Sequence, residues 1–186
     1  FRYCSSLKKV TLPDKLKSLG RGAFGGCSDL REITIPGNVT RLAEDLFERC
    51  ERLESVTLPD NVTEIGKNTF FYCINLTDIN IPQNLTSIGD SAFNYSSITE
   101  INLPDTVETI GEGAFRSCNK LQKIKLPVNL KEIKAETFSN CDRLSEIKLP
   151  EKLVKIGKRA FAYTGVLSSV TVPDSVTALD EYAFYN

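Results

Sequence analysis

The chain has 186 residues, and its 23 lysines and arginines nearly balance 24 aspartates and glutamates, leaving a formal net charge of −1. A charge this close to zero gives no support for nucleic-acid binding by bulk electrostatics. The sequence contains no histidine, which removes the commonest general base and the commonest metal ligand. It also lacks a run of apolar residues long enough to cross a bilayer, so we expect no membrane insertion by this segment.

A short apolar motif that ends in proline recurs along the whole chain. Clear copies are Leu30–Pro36, Leu53–Pro59 and Leu76–Pro82. All eight prolines close a copy of this motif, and they are 23 residues apart except for one spacing of 22. The prolines are Pro13, Pro36, Pro59, Pro82, Pro104, Pro127, Pro150 and Pro173. A fixed period of this length indicates a tandem repeat whose units stack side by side.

Counted from the position that most often holds cysteine, the chain divides into eight units, and we expect one domain over residues 1–186. The units are Cys4–Gly26, Cys27–Arg49, Cys50–Tyr72, Cys73–Tyr95, Ser96–Ser117, Cys118–Asn140, Cys141–Tyr163 and Thr164–Asn186. The fifth unit has 22 residues because one is missing between Phe93 and Ile98. The chain begins in phase with the repeat and without methionine, so we expect a processed chain or a part of a longer array.

The segment before each proline is predicted to be a short strand. In the first unit, Val10 and Leu12 point to one side, and Lys9 and Thr11 point to the other. Alternation with a period of two is typical of a half-buried strand. Pro13 is expected to end that strand, because proline cannot donate to a sheet ladder.

After the proline, the apolar spacing changes. Leu16, Leu19, Ala23, Phe24 and Cys27 follow one another at intervals of three, four, one and three residues. This spacing predicts an extended bend followed by one or two turns of helix. Five units have glycine at the start of the predicted helix, namely Gly20, Gly66, Gly89, Gly111 and Gly157. The other three have Ala43, Lys134 and Asp180 there, so a strictly positive φ is not expected at this position.

A unit of 23 residues cannot bury its own apolar face, so the units must bury one another's. The strands are then expected to form one parallel sheet with neighbours about 4.8 Å apart. Equivalent residues should form ladders along the stack. The clearest ladder is a predicted spine of phenylalanines, consisting of Phe1, Phe24, Phe47, Phe70, Phe93, Phe115, Phe138, Phe161 and Phe184.

The strand motif resembles the core of a leucine-rich repeat, as in Leu53–Leu58. The longer pattern, of which Ile101–Cys118 is the fullest copy, resembles the BspA-like subclass, and the resemblance covers the whole chain. It implies an α/β repeat solenoid: a right-handed leucine-rich-repeat solenoid of eight units. In such a solenoid a parallel β-sheet lines the concave face, and short helical or turn segments form the convex face. It also implies a bacterial or protozoan surface protein that binds host proteins and has no catalytic residues.

The six cysteines occupy one repeat position, and they are Cys4, Cys27, Cys50, Cys73, Cys118 and Cys141. Stacked side chains in register have parallel Cβ vectors, whereas a disulfide needs vectors that converge. The sequence also lacks the short cysteine spacings of zinc sites. We therefore expect a ladder of free, buried thiols and no metal site.

The sequence shows no catalytic machinery. Acids recur at one turn position, as in Asp14, Asp60 and Asp105, but the units between them have no acid there. Hydrolytic chemistry needs paired carboxylates or a nucleophile with its base, and neither pattern is visible. We expect no catalytic residue and no cofactor.

Candidate contact residues for a partner fall into two sets. The first set consists of outward-facing strand residues, namely Thr57, Asn80, Asn102, Lys123, Lys125 and Lys148. The second is an aromatic cluster at an outer edge, namely Phe71, Tyr72 and Tyr95. A merely solvated sheet face and local packing of the aromatic rings are the alternative interpretations.

Charge is distributed unevenly along the chain. Residues Asp60–Gly113 contain eight acids and one base, and residues Asn119–Arg159 contain eleven bases and five acids. Such a dipolar surface can steer a charged partner, although solvated faces also acquire charge differences of this size without a function.

The favoured hypothesis is a non-catalytic, adhesion-type protein–protein interaction module of a secreted or cell-surface protein. Its expected partner is a protein, such as a host extracellular or surface protein, and the module is expected to be a monomer. The first alternative is a structural spacer that holds another domain away from the cell wall. The second is an enzyme, which the missing machinery disfavours.

Overall fold

The computed structural model describes all residues, Phe1–Asn186, and shows a β-solenoid made of very short parallel strands. Strands that precede the prolines form what we call the first sheet. They are β1 (Glu32–Thr34), β3 (Ser55–Thr57), β5 (Asp78–Ile79), β7 (Glu100–Asn102), β9 (Lys123–Lys125) and β11 (Glu146–Ile147). Strands that follow the prolines form the second sheet. They are β2 (Arg41–Leu42), β4 (Glu64–Ile65), β6 (Ser87–Ile88), β8 (Thr109–Ile110), β10 (Glu132–Ile133), β12 (Lys155–Ile156) and β13 (Ala178–Leu179).

Equivalent residues of neighbouring units lie opposite each other, which confirms the predicted parallel stacking. In the first sheet, Ile33 pairs with Val56, and Thr34 pairs with Thr57. The apolar pair is buried and the polar pair is exposed, as the period of two predicts. The prediction of a single sheet was wrong, however. The segment after the proline is not only a bend but contributes the second parallel sheet.

The structure contains no helix, so the predicted helical segments are wrong and the convex side consists of turns. The reason lies in the main-chain hydrogen bonds. In the third unit, the N–H groups of Asn68, Phe70 and Tyr72 donate to carbonyls of the following unit at 2.8 and 2.9 Å. Only the N–H groups between them, those of Thr69 and Phe71, close turns within their own unit. Equivalent bonds join every pair of neighbouring units, and we call this arrangement the turn ladder.

Left-handed backbone conformations separate the successive turns. Asn68 has φ of 53° and Tyr72 has φ of 61°. The residues equivalent to Asn68 in all other units, and to Tyr72 in the other units except the last, also have positive φ. A left-handed residue at every fourth position cannot belong to a right-handed helix. The helix-like apolar spacing therefore comes from successive turns that each direct one residue into the core.

The predicted phenylalanine spine is present and forms one continuous stack. Neighbouring ring centroids are between 5.0 and 5.7 Å apart, and the rings are nearly parallel. The seven rings from Phe24 to Phe161 are at most 1% exposed. Leucine, isoleucine and valine side chains from both sheets pack around this stack in a single core cluster. Burial of each unit therefore depends on its neighbours.

At four of the eight units, glycine at the start of the turn segment is explained by close approach of main chains rather than by φ. Gly66, Gly89, Gly111 and Gly157 all have negative φ, as expected. A Cβ on Gly89 would lie 2.5 Å from the main-chain nitrogen of Lys67 in the preceding unit. Gly20, in the first unit, has nothing within 4 Å of the same position.

Each sheet is interrupted once. The first sheet breaks between β5 and β7, at the unit that lacks one residue, and the second breaks between β8 and β10. At the second break Lys134 fills the glycine position and lacks the bond that Gly89 donates to Ile65 at 2.8 Å. A side chain alone does not abolish this bond, because Asp180 in the last unit still donates it to Ile156.

The glycine position yields the first prediction. Gly89→Ala should destabilise the protein by about 1–3 kcal/mol, because its methyl group would overlap main-chain atoms that cannot move independently. Gly20→Ala is the matched control at the same repeat position and should change stability by less than about 1 kcal/mol in either direction. Urea unfolding followed by circular dichroism measures both variants. Equal losses would contradict the close-approach explanation.

The spine yields the second prediction. Phe93 stacks at 5.2 Å on Phe70 and at 5.3 Å on Phe115. Phe93→Ala should therefore cost about 3–5 kcal/mol of unfolding free energy. Phe71→Ala, which removes a half-buried ring next to the stack, should cost clearly less in the same denaturation experiment. If the two variants lose the same stability, the assignment of the inward face is wrong.

Candidate functional site

The outward residues of the first sheet form one exposed face, which we call the strand face. All six strand candidates are exposed there, namely Thr57, Asn80, Asn102, Lys123, Lys125 and Lys148. The sheet places them on neighbouring units at regular spacing, although the break between β5 and β7 separates Asn80 from Asn102.

The lysines of the strand face have different surroundings. Lys123 lies directly between Glu100 and Glu146 in the register of the first sheet. Cross-strand pairs of opposite charge stabilise a sheet, so Lys123 has an acid opposite it on each side, although neither carboxylate comes within 4.0 Å of its ammonium group. Lys125, further along β9, and Lys148, after β11, do not lie between two acids in this way.

Lys125 and Lys148 occupy equivalent positions of adjacent units. The nearest carboxylate oxygen to the Lys125 Nζ belongs to Asp105, 3.8 Å away, and Lys148 has no carboxylate within 4.0 Å. A groove of about 410 Å³ runs between these two units. Its lining includes three lysines and one acid beside apolar residues, namely Lys125, Lys148, Lys152, Glu151, Leu126, Leu149 and Pro150. We call it the lysine groove, and it combines positive charge with an apolar floor.

Asn80 uses its amide group inside the protein. Its Oδ1 accepts a hydrogen bond from the main-chain N–H of Leu58 at 2.7 Å, and its Nδ2 donates to the Leu58 carbonyl at 2.8 Å. The side chain thus takes the place of a strand residue beside β3. Asn80 remains exposed, but its amide group is not free for a partner, unlike the other strand candidates.

The three aromatic candidates do come together. The rings of Tyr72 and Tyr95 have centroids 5.4 Å apart, and Phe71 lies 6.2 Å from Tyr72 and 6.3 Å from Tyr95. The Arg49 guanidinium lies over the Tyr72 ring at 5.2 Å, within range of a cation–π interaction. Tyr95 is 42% exposed, whereas Phe71 and Tyr72 are half-buried. The cluster is therefore partly packed against the protein, through Phe71 and Tyr72, and partly exposed to solvent, through Tyr95.

Sequence reasoning missed a second aromatic cluster, near the end of the chain. Tyr185 meets Tyr163 and Tyr182 edge-on, with each centroid distance 5.5 Å, and the Arg159 guanidinium lies 5.7 Å from the Tyr182 ring. All three tyrosines are exposed. The repeat held a signal for it, since tyrosine precedes the cysteine position in several units, as in Tyr72, Tyr95 and Tyr163.

The cysteines are free, as predicted, and five of the six are buried, the exception being Cys4. The Sγ of Cys50 donates to the carbonyl of Phe24 at 3.1 Å, and the other buried thiols make equivalent bonds. Burial raises the pKa of the Cys50 thiol to about 12 and that of Cys118 to about 12. These thiols stay protonated at neutral pH and are poor nucleophiles.

The thiol ladder yields the third prediction. With a colorimetric thiol reagent at pH 8, only Cys4 should react rapidly in the folded protein, because the other thiols are buried and protonated. Denatured, unreduced protein should release all six equivalents. Cys4→Ser is the control and should remove the rapid phase. A second rapid equivalent in the folded state, or fewer than six after denaturation, would contradict the ladder.

The structure contains no group of three or more cysteine, aspartate or glutamate side chains that could hold a metal ion. It also contains no helix with the length and hydropathy needed to cross a membrane.

Stacked L-x-x-[IV]-x-[LIV] units with one parallel sheet before the prolines define the class of leucine-rich-repeat proteins. The family model described as the BspA type leucine rich repeat region matches residues 1–121 and 63–186, which together cover the whole chain. The chain belongs to this BspA-type family.

Solved bacterial structures share the fold. A leucine-rich repeat protein from Bacteroides ovatus is 35% identical with a TM-score of 0.72, over 87% of this chain and 48% of that chain. A leucine-rich repeat protein from T. pallidum is 31% identical with a TM-score of 0.78, over 85% of this chain and 77% of that chain. A leucine-rich cell surface protein from Faecalibacterium prausnitzii is 25% identical with a TM-score of 0.54, over 98% of this chain and 68% of that chain.

A comparison with curated proteins finds no significant match. The chain spans about half the length, 48%, of the Bacteroides ovatus protein.

Proposed function

We propose that this chain is a non-catalytic, adhesion-type protein–protein interaction module of a secreted or cell-surface protein. The observation that carries the proposal is the lysine groove. Lys125 and Lys148 are neighbouring like charges with little compensation from the protein's own acids, and they border an apolar floor. An acidic protein surface that carries apolar side chains would neutralise the charge and cover the floor. Membership of the BspA-type family and likeness to a protein described as a cell surface protein support the proposal.

The strand face is suited to a folded protein partner rather than to a small ligand. Its grooves are open and lie along the outside of the sheet, with lining residues from two or more units in each. Repeat proteins commonly bind partners over such an extended surface, because every unit adds one row of side chains. A host extracellular protein with an acidic patch fits this description. The module is proposed to act as a monomer and without a cofactor.

A structural spacer is the second candidate, and the exposed ion pairs favour it. Arg31 binds Glu54 at 2.7 Å, Arg41 binds Glu64 at 2.9 Å and Lys158 binds Glu181 at 2.8 Å. Each pair links neighbouring units, so much of the surface charge is used within the array. Such a surface is suited to a stiff rod that displays another domain.

The fourth prediction tests the lysine groove. Purified host extracellular proteins are arrayed, and the association of each binder with the chain is followed by surface plasmon resonance. Lys125→Glu with Lys148→Glu should lower the association rate at least about fivefold at low salt and weaken its salt dependence. Stability should change little, because both side chains are exposed.

The matched control is Lys120→Glu with Lys131→Glu, which makes the same change in net charge on exposed lysines outside the first sheet. If both double variants slow association equally, only the bulk charge matters and the groove is not the site. If binding survives the groove variant but fails with Tyr95→Ala, the aromatic cluster is the contact surface. If no array protein binds at all, the spacer is the better description.

A further inference from the structure

The first sheet is open in the middle of the array. No Cα of β5 (Asp78–Ile79) lies within 8 Å of a Cα of β7 (Glu100–Asn102). Paired strands are about 4.8 Å apart, and β3–β5 and β7–β9 are paired in the normal way. Two unpaired strand edges therefore face each other across a space that we call the strand gap.

The gap follows from the repeat length. The fifth unit lacks one residue between Phe93 and Ile98, so its chain reaches the first sheet by a shorter path. At the same junction the second sheet is continuous, since β6 pairs with β8, and the turn ladder is intact, since Phe93 donates to Ala114 at 2.8 Å. On the first-sheet side the two units are joined just before the strands, where the Ser97 N–H donates to the Leu76 carbonyl at 3.0 Å, and they are open from there along β5 and β7.

At the gap, the N–H of Ile81 lacks the main-chain acceptor that the equivalent N–H has at two intact junctions, although the N–H of Leu126 at the β9–β11 junction lacks one as well. At intact junctions Ile35 donates its N–H to Thr57 at 2.9 Å, and Leu103 donates to Lys125 at 3.1 Å. The equivalent N–H of Ile81 has no acceptor within the chain. Ile79 and Ile81 are also half-buried, whereas the equivalent side chains of other central units are buried. Both the hydrogen-bonding groups and the apolar side chains of this edge are available.

The charge at the gap is negative. Asp78 and Glu100 are exposed on its two sides. Asp78 accepts a hydrogen bond from the Ser55 hydroxyl at 3.2 Å and Glu100 lies opposite Lys123 in the register, but neither acid makes an ion pair within 4.0 Å. They lie within Asp60–Gly113, the segment with eight acids and one base. A ligand with basic side chains would therefore be favoured at this edge.

We propose that the strand gap binds an extended basic segment of a partner protein, which adds a parallel strand between β5 and β7. Its main chain would pair with groups such as the N–H of Ile81, and alternate side chains would point outward and inward. Lysine or arginine side chains on the outward positions meet Asp78 and Glu100. Small apolar side chains on the inward positions cover Ile79 and Ile81. This site is separate from the lysine groove and takes a ligand of opposite charge.

The fifth prediction uses a fluorescein-labelled hexapeptide of alternating lysine and valine as the probe, with binding measured by fluorescence anisotropy. Two control peptides define the mode of binding. One carries N-methyl groups on alternate main-chain amides and cannot pair with a strand, and the other replaces lysine with glutamate. Both should bind at least about tenfold more weakly than the probe. Equal binding of the N-methylated peptide would overturn strand addition.

Two protein variants test the location. Insertion of one serine between Ser97 and Ile98 restores the 23-residue period, and it should close the gap and lower the affinity for the probe at least about tenfold. Asp78→Asn with Glu100→Gln leaves the gap open and should weaken binding and its salt dependence. The matched control, Glu108→Gln with Glu112→Gln, removes the same charge from exposed acids outside the first sheet.

The outcomes separate the explanations. Loss of binding with the insertion and with the Asp78–Glu100 variant, but not with the control, supports the proposal. If the insertion variant does not fold, the comparison of the two charge variants still decides the location. Absence of probe binding to the unmodified protein, or equal effects of both charge variants, would overturn the proposal. Neither result bears on the lysine groove, whose test uses acidic partners.

Discussion

Stacking of equivalent side chains is the constraint on which the rest of this structure depends. A single unit presents its phenylalanine ring, its thiol and its aliphatic side chains to the next unit and cannot cover them itself. The rings of the central units, such as Phe70 and Phe93, are fully buried because another ring lies on each face. The position of every exposed side chain therefore depends on the packing between neighbouring units.

Main-chain hydrogen bonds between units explain how such short elements form a stable rod. No strand exceeds three residues, and isolated strands of this length would not persist. The two sheets and the turn ladder together join neighbouring units on several sides, so each unit is held as part of the array. The same requirement brings glycine to the start of the turn segment, where the main chains approach closely.

The most distinctive surface features lie where a unit deviates from the regular repeat pattern. The residue missing from the fifth unit coincides with the strand gap, and Lys125 and Lys148 replace the threonines of earlier units in the outward column. A strictly regular array would expose one polar pattern along its whole length. These deviations instead create an acidic open edge in the middle and a basic groove further along the chain. The proposed interactions rest on this contrast in charge and geometry.

Much of the fold follows from the sequence alone, because a ladder residue contacts its own equivalents and the period is visible in the prolines. The phenylalanine spine, the free thiols, the first-sheet strands of the six inner units and the exposure of Lys125 or Lys148 could all be predicted this way, whereas the strands predicted before Pro13 and Pro173 do not form. The contacts between Asn80 and Leu58, and between Arg49 and Tyr72, could not be predicted, because they depend on side-chain directions that a period does not specify.

The helical prediction was wrong for a related reason. The spacing of apolar residues records which side chains point inward, whereas the choice between helix and turns depended on where the amides of Asn68, Phe70 and Tyr72 find acceptors. Those acceptors belong to the next unit, so only the tertiary structure could decide.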